Sequence, residues 1–210
     1  MNKQNAFSAL VVPGLIASLL LASASAEATS VATTENAKIL VQADHGKLEF
    51  HAVGRPSMIK VNGEGKGPQG TLSIVANKVS GDLTIDMTSL NSGISMRDEH
   101  MKEKYLEVKK FPEAKLHLTD VSLTPAWSLK SPTVKDVEFK GDLTLHGVTK
   151  PIEGKFELSG TESALTAKAD FEIKMDEFGI EIPKYLGITV KNDVPVSLIM
   201  TDLKASRVPR

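Results

Sequence analysis

The sequence predicts a mainly β protein: a single closed antiparallel β-barrel of about eight strands, with one short helix as a lid or plug. Three observations carry that reading. Apolar and polar residues alternate with period two in run after run, which places one greasy and one wet side on each strand. Glycine, proline and asparagine cluster between the runs, where turns belong. Only one stretch has helical spacing. A two-sheet sandwich shares the alternation, so the pattern by itself does not separate the two folds. Closure is favoured because it leaves no exposed strand edge.

Residues 27–37 come first after an expected export segment; they are small and polar without periodicity and read as a disordered leader. The barrel is expected over residues 38–205. Ile39 and Val41, then Leu48, Phe50 and Ala52, alternate with Lys38, Gln42, Lys47, Glu49 and His51, and Asp44-His45-Gly46 makes the turn. Residues 58–61 form a short apolar stretch, beginning with Met58. Residues 62–68, Asn-Gly-Glu-Gly-Lys-Gly-Pro, resemble a glycine-rich phosphate loop. Such a loop needs a helix and a Lys-Ser/Thr pair after it. Here Leu72-Ser73-Ile74-Val75 reads as strand, so a flexible connection is expected instead.

Leu83, Ile85 and Met87 then face one way, and Asp82, Thr84, Asp86 and Thr88 the other. The helix is expected over residues 97–108, where Met101, Tyr105 and Val108 recur at i, i+4 and i+7. Ser95 is its expected cap, Asp98 favours its positive end, and Asp98–Lys102 is an attractive i,i+4 pair. Pro112 ends it. Ala114, Leu116 and Leu118 resume the alternation, which stops near Pro125; Trp127, in a polar loop, is expected to pack at a barrel end. The clearest hairpin is centred on residues 140–152. Val137, Phe139, Gly141, Leu143 and Leu145 share one phase, Gly147 and Pro151 mark the turn, and Ile152, Phe156 and Leu158 return. Leu165, Ala167, Ala169, Phe171, Ile173 and Met175 follow on one face, then a loop at Phe178-Gly179-Ile180. Residues 188–190 and 194–200, with Val196 and Leu198, supply the last strands.

Within the 210 residues, the first 26 read as a signal peptide: Lys3, an apolar core over residues 10–21, and Ala24-Ser25-Ala26 before the cut. That core is shorter than the roughly 20 residues a spanning helix needs, and Pro13 interrupts it. Cleavage after Ala26 removes Lys3 as its only charge, taking the formal net charge from −1 to −2. No basic block is present, which argues against nucleic acid as a partner. The chain has no cysteine, which excludes thiol redox chemistry, thiolate metal sites, c-type haem attachment and a lipidated N-terminal cysteine. The expected location is the periplasm.

Chemistry finds little footing. Of the five histidines, His51, His117 and His146 lie in the polar phase of their strands and read as solvated surface; His45 and His100 complete the set. None is paired at metal-ligand spacing. Asp98-Glu99-His100 point about 100° apart on a helix and do not converge on one atom. There is no G-x-S-x-G elbow. No cofactor, metal or catalytic residue is expected, and Arg97 and Asp98 read as ties between lid and barrel.

Residues 91–101, Asn-Ser-Gly-Ile-Ser-Met-Arg-Asp-Glu-His-Met, followed by Phe111-Pro112-Glu113-Ala114, resemble the arginine-aspartate-x-histidine helix of the YceI family. Residues 141–151, Gly-Asp-Leu-Thr-Leu-His-Gly-Val-Thr-Lys-Pro, are similar to that family's second signature. The resemblance covers residues 38–203. The family's histidine and serine pattern in the first strands is met only in part, around residues 45–51, and Met175 stands where members often carry arginine. The resemblance implies a lipocalin-like barrel holding a polyisoprenoid or similar amphiphile in its lumen.

The expected function is therefore a periplasmic carrier of a long-chain lipid, with transient membrane contact for ligand exchange. An enzyme acting on an isoprenoid lipid or quinone, and a ligand-free structural barrel, are the alternatives. The lumen candidates are the apolar-phase residues Leu48, Phe50, Ile85, Met87, Leu116, Leu118, Phe139, Leu143, Leu145, Phe156, Leu158, Phe171, Ile173, Met175, Val196 and Leu198; the lid candidates are Arg97, Asp98, Met101 and Tyr105.

Overall fold

In the computed structural model the chain is described at residues 36–55, 59–124, 127–185 and 187–208. The expected signal peptide, the leader before Asn36, Met58 and Pro125 lie outside the described residues. Twelve strands follow in order: β1 (Ala37–Val41), β2 (Gly46–Arg55), β3 (Lys60–Lys66), β4 (Gln69–Val75), β5 (Lys78–Asp86), β6 (Glu113–Ser122), β7 (Val134–Leu145), β8 (Val148–Thr161), β9 (Ala164–Lys174), β10 (Lys184–Tyr185), β11 (Ile188–Val190) and β12 (Asp193–Arg207). Between β5 and β6 lies a short helix, α1 (Ser95–His100), running on into a π turn at Met101–Tyr105.

Eight strands close the ring. β1 pairs with β4, the chain continues β4-β5-β6-β7-β8-β9-β12, and β12 pairs back onto β1, antiparallel throughout. The closed barrel expected from the alternation is thus the fold, with four further strands attached to it. β12 is long enough to take two neighbours. Its C-terminal end pairs with β1 (Ala37 opposite Arg207), and its N-terminal end with β2 (Phe50 opposite Val196). The β2–β3 hairpin therefore stands above β1, and β11 and β10 extend β2 outward (Thr189 opposite Arg55).

Register follows the two-residue period. Outward positions of β7, among them Lys135, Glu138, Lys140 and Asp142, are exposed, and inward Phe139, Leu143 and Leu145 are buried. Outer side chains pair across strands: Lys140 with Glu153 on β8, and His117 Nδ1 at 2.7 Å from Asp82 on β5. A charged outside faces water, the reverse of a lipid-facing barrel with its apolar outer band. The turn between β7 and β8 needs positive φ at both central residues, a type I′ hairpin turn, and His146 (φ 52°) with Gly147 (φ 77°) supplies it. Trp127 is buried among the core residues.

Two expectations need correction here. The glycine-rich stretch is strand β3, not a flexible connection. Its inward positions after Val61 are Gly63 and Gly65, so no side chain marks the period. The glycines are there because other groups fill the space. A Cβ on Gly63 would overlap the Phe50 ring and the Asn91 carbonyl, and one on Gly65 would meet Leu90. The helix also differs from residues 97–108. It begins at Ser95, and after His100 the hydrogen bonds lengthen to Leu106 N–H donating to Met101 O at 2.8 Å. Glu107 then turns left-handed (φ 44°), so Val108 enters the core from outside the helix.

Candidate functional site

The barrel interior is divided along its length. At the foot, side chains of Leu72, Val79, Leu116, Leu118, Phe139, Phe156 and Leu198 close around a void of about 20 Å³. At the head, under the lid segment, there is a cavity of about 480 Å³, within the roughly 300–1,000 Å³ range of ligand sites. Phe139 forms part of the partition. Its ring lies against Gly154, where a Cβ would overlap it, and meets Phe171 edge-on with centroids 6.3 Å apart.

Ten of the sixteen lumen candidates line the head cavity: Leu48, Phe50, Ile85, Met87, Leu143, Leu145, Phe171, Ile173, Met175 and Val196. Leu116, Leu118, Phe139, Phe156 and Leu198 pack in the foot, and Leu158 is buried away from both spaces. Alternation separates inside from outside but is blind to height along the barrel. Sequence reasoning missed Ala52, Ala114 and Val194, which share the inward phase of their strands, and Ile188 and Val190 on the β11 flap. It also missed Ile94, Met96 and His100 on the lid segment. Ile94 and Met96 stand out from the fold as large apolar side chains exposed at 54% and 65%.

Of the lid candidates, Arg97, Met101 and Tyr105 line the cavity and Asp98 does not. Ser95 does not cap the helix. Asp98 instead accepts from the Ser92 backbone N–H (2.7 Å) and from the Ser92 hydroxyl, so its carboxylate faces Ser92 and not Lys102. Arg97 Nε donates to Ser92 Oγ and Nη2 to Ser92 O, both at 2.7 Å. Arg97 and Asp98 therefore brace the lid's own approach; they do not tie it to the barrel. Attachment to the barrel comes from the Glu64–Asn91 backbone bridge to β3, with N···O distances of 2.8 and 2.7 Å.

His146 is a further correction to the solvated-surface expectation. Its side chain is only 12% exposed. Nε2 lies 2.8 Å from Glu107 Oε2, Nδ1 lies 3.2 Å from the Phe178 carbonyl oxygen, and the Phe111 ring packs on it at 4.6 Å. The ring joins the end of the lid segment to the β7–β8 turn and to the loop after β9. The left-handed turn at His146 breaks the alternation there, which is why strand phase misplaces it. Among the described residues, no group of three or more His, Cys, Asp or Glu side chains is placed to hold a metal ion.

The antiparallel barrel is hollow and apolar at its head and closely packed at its foot, and the head encloses a space of the size that ligand sites have. The YceI-like domain family matches residues 40–201 of this chain, which belongs to that family. A UPF0312 protein of Pseudomonas putida strain W619 is 36% identical over 130 residues, 58% of this chain and 62% of that protein. One from Pseudomonas fluorescens strain SBW25 is 34% identical over 146 residues, 64% of this chain and 71% of the relative. The chain thus spans about six-tenths of the length of the first of these curated relatives. Among solved structures, a polyisoprenoid binding domain from Saccharophagus degradans implicated in plant cell wall breakdown aligns with TM-score 0.58 at 15% identity, covering 80% of this chain and 98% of that one. Burkholderia cenocepacia BcnA aligns with TM-score 0.58 at 18% identity, covering 73% and 95%. At these identities the structures bear on the fold alone.

Proposed function

We propose that this chain is an exported carrier that holds a polyisoprenoid or similar long-chain amphiphile in the head cavity, unchanged chemically. The observation that carries the reading is the cavity of about 480 Å³ whose strand-borne walls are apolar at every described lining residue. At about 0.8 kcal/mol per buried methylene, a tail of about ten carbons supplies ~8 kcal/mol. That exceeds the low end of an association cost of about 4–15 kcal/mol and falls short of the high end, so longer tails bind more tightly. The polyisoprenoid binding of the Saccharophagus domain, on the same fold, supports the ligand class. Loading and release need a transient contact with a membrane, and the exposed Ile94 and Met96 at the cavity mouth suit one.

Native extraction followed by mass spectrometry tests the reading. A long-chain lipid should leave with the protein and, after incubation, return with its mass unaltered. A changed mass would make the protein an enzyme, and an empty cavity that also takes up no added lipid would make it a structural barrel. The location rests on residues 1–26. Protein from the periplasmic fraction should begin at Glu27, and an intact Met1 on a cytoplasmic product would overturn the export.

A further inference from the structure

Of the described residues that line the head cavity, only Arg97, His100 and Tyr105 carry a nitrogen or oxygen on the side chain. All three stand on α1 and the π turn that continues it. Every side chain that the strands contribute among the described lining residues is hydrocarbon or thioether. An amphiphile inside therefore has one favourable orientation. Its tail points down toward Phe139 and its headgroup lies under the lid, because the reverse leaves a polar group without partners among hydrocarbon.

The polar wall also has a sign. Arg97 is permanently cationic, and the His100 ring adds an N–H donor beside it. Three residues apart, they share one helix face. Arg97 uses two of its donors on Ser92, leaving the rest of its guanidinium without a partner among the described residues. His100 makes no hydrogen bond among them either. The neighbouring acids do not cancel this pair at the wall: Asp98 is turned onto Ser92, and Glu99 is exposed and lines no part of the cavity.

We infer that Arg97 and His100 form an anion-selective headgroup subsite, so that the amphiphile this cavity takes ends in a phosphate or a carboxylate. The inference rests on the carrier reading above and narrows its ligand. Guanidinium donors make charge-assisted hydrogen bonds to anionic oxygens, about twice as strong as those to a neutral hydroxyl, and the His100 ring N–H stands beside them as a further donor. Tyr105, which serves either kind of headgroup, does not discriminate between them.

The test compares two probes with the same tail, geranylgeraniol and geranylgeranyl monophosphate, on the purified full chain after delipidation. The phosphate should bind about tenfold or more tighter than the alcohol. The double variant Arg97→Gln/His100→Gln should bring that ratio to about one, and Arg97→Lys, which keeps the charge, should hold it above one. Lys102→Gln removes a positive charge from the same segment at a residue that does not line the cavity, and should leave the wild-type ratio. Inorganic phosphate at millimolar concentration should displace neither probe, since it has no tail; displacement of the phosphate probe would reveal a free-phosphate site and overturn the headgroup assignment. Equal binding of the two probes by the wild type, or a preference that survives in the double variant, overturns the subsite and leaves the carrier standing. If neither probe binds, the carrier reading falls with it.

Discussion

Leu145 and Leu158 belong to the same hairpin and the same inward phase, and both are buried, at 6% and 2% exposure. One lines the head cavity and the other is closely packed, away from both the cavity and the foot void. Truncation to alanine should separate them. At Leu158 the missing atoms leave a new void in close packing, where Leu→Ala losses run from about 2.7 to 5.0 kcal/mol and grow by about 24 cal/mol per Å³ of void. A cost of about 4 kcal/mol is expected. At Leu145 the lost volume merges with space that already exists, so only the transfer of about three carbons is forfeited, close to 2 kcal/mol. Urea melts of delipidated Leu145→Ala and Leu158→Ala, checked for equal m-values, measure the difference. Equal losses, or a larger one at Leu145, would mean that the head is packed in solution, and the division of the barrel would be wrong.

Leu145→Asp should abolish binding of a prenyl probe at a cost of at least about 2 kcal/mol, whereas Thr144→Asp, on the outer face beside Thr149, should leave binding within about twofold; each variant is melted first by circular dichroism, and like behaviour of the two folded variants would overturn the inward assignment. Amides of residues 95–105 should exchange faster than those of Leu143 and Leu145 and slow when lipid is added, because lids draw on the least stable parts of a fold; equal protection, unmoved by ligand, would mean the segment is no lid. Asp170 provides a pH test: burial raises its pKa, but hydrogen bonds from Lys168 and Ser197 outweigh burial and hold its carboxyl below the ordinary aspartate range. That contribution is present above the unfolded aspartate value of about 3.9 and is lost as pH falls through the lower folded value. Asp170→Asn should therefore lower stability at neutral pH and flatten the acid limb of the stability curve; an unchanged acid limb would remove Asp170 from the account.

The barrel was legible because burial on one side only writes period two into the chain, as in Phe139, Gly141, Leu143 and Leu145 against Lys140, Asp142 and Thr144. Three features left no such mark. β3 hides because glycine occupies the inward positions that Phe50 and Leu90 overlie. The partition between head and foot hides because Leu143 and Leu158 share a phase, and only the fitting of Phe139 against Gly154 and Phe171 places the floor. His146 hides because a single left-handed residue takes its side chain out of the phase that the preceding strand sets. The lid was half legible. Met101 and Tyr105 do face the cavity, but the π turn that carries them there, and the Ser92 clamp on Arg97 and Asp98, depend on bonds that propensity does not encode.

The hollow end and its lid have a common origin in the step between β1 and β2. At the foot, β1 is hydrogen-bonded on both sides, to β4 and to β12, so the ring is continuous and its side chains meet across a narrow interior. Past the short turn at Ala43–His45, β2 replaces β1 beside β12, and the next strand round is β3. β3 does not form a ladder with β5; the Glu64–Asn91 bridge and a Lys66 N–H bond to Ser89 Oγ (3.0 Å) link it to the chain beyond β5. Widening the ring there separates the facing walls, which makes the cavity, and leaves a seam that backbone pairing does not close. The segment from Asn91 to Tyr105 begins at that bridge and lines the cavity from the seam side. On the carrier reading, a lid at this weakly paired position opens without breaking a strand ladder. The cost of opening would then be a few side-chain contacts and the partial burial of Met101 and Tyr105, the scale of energy that the proposed lipid tail would supply.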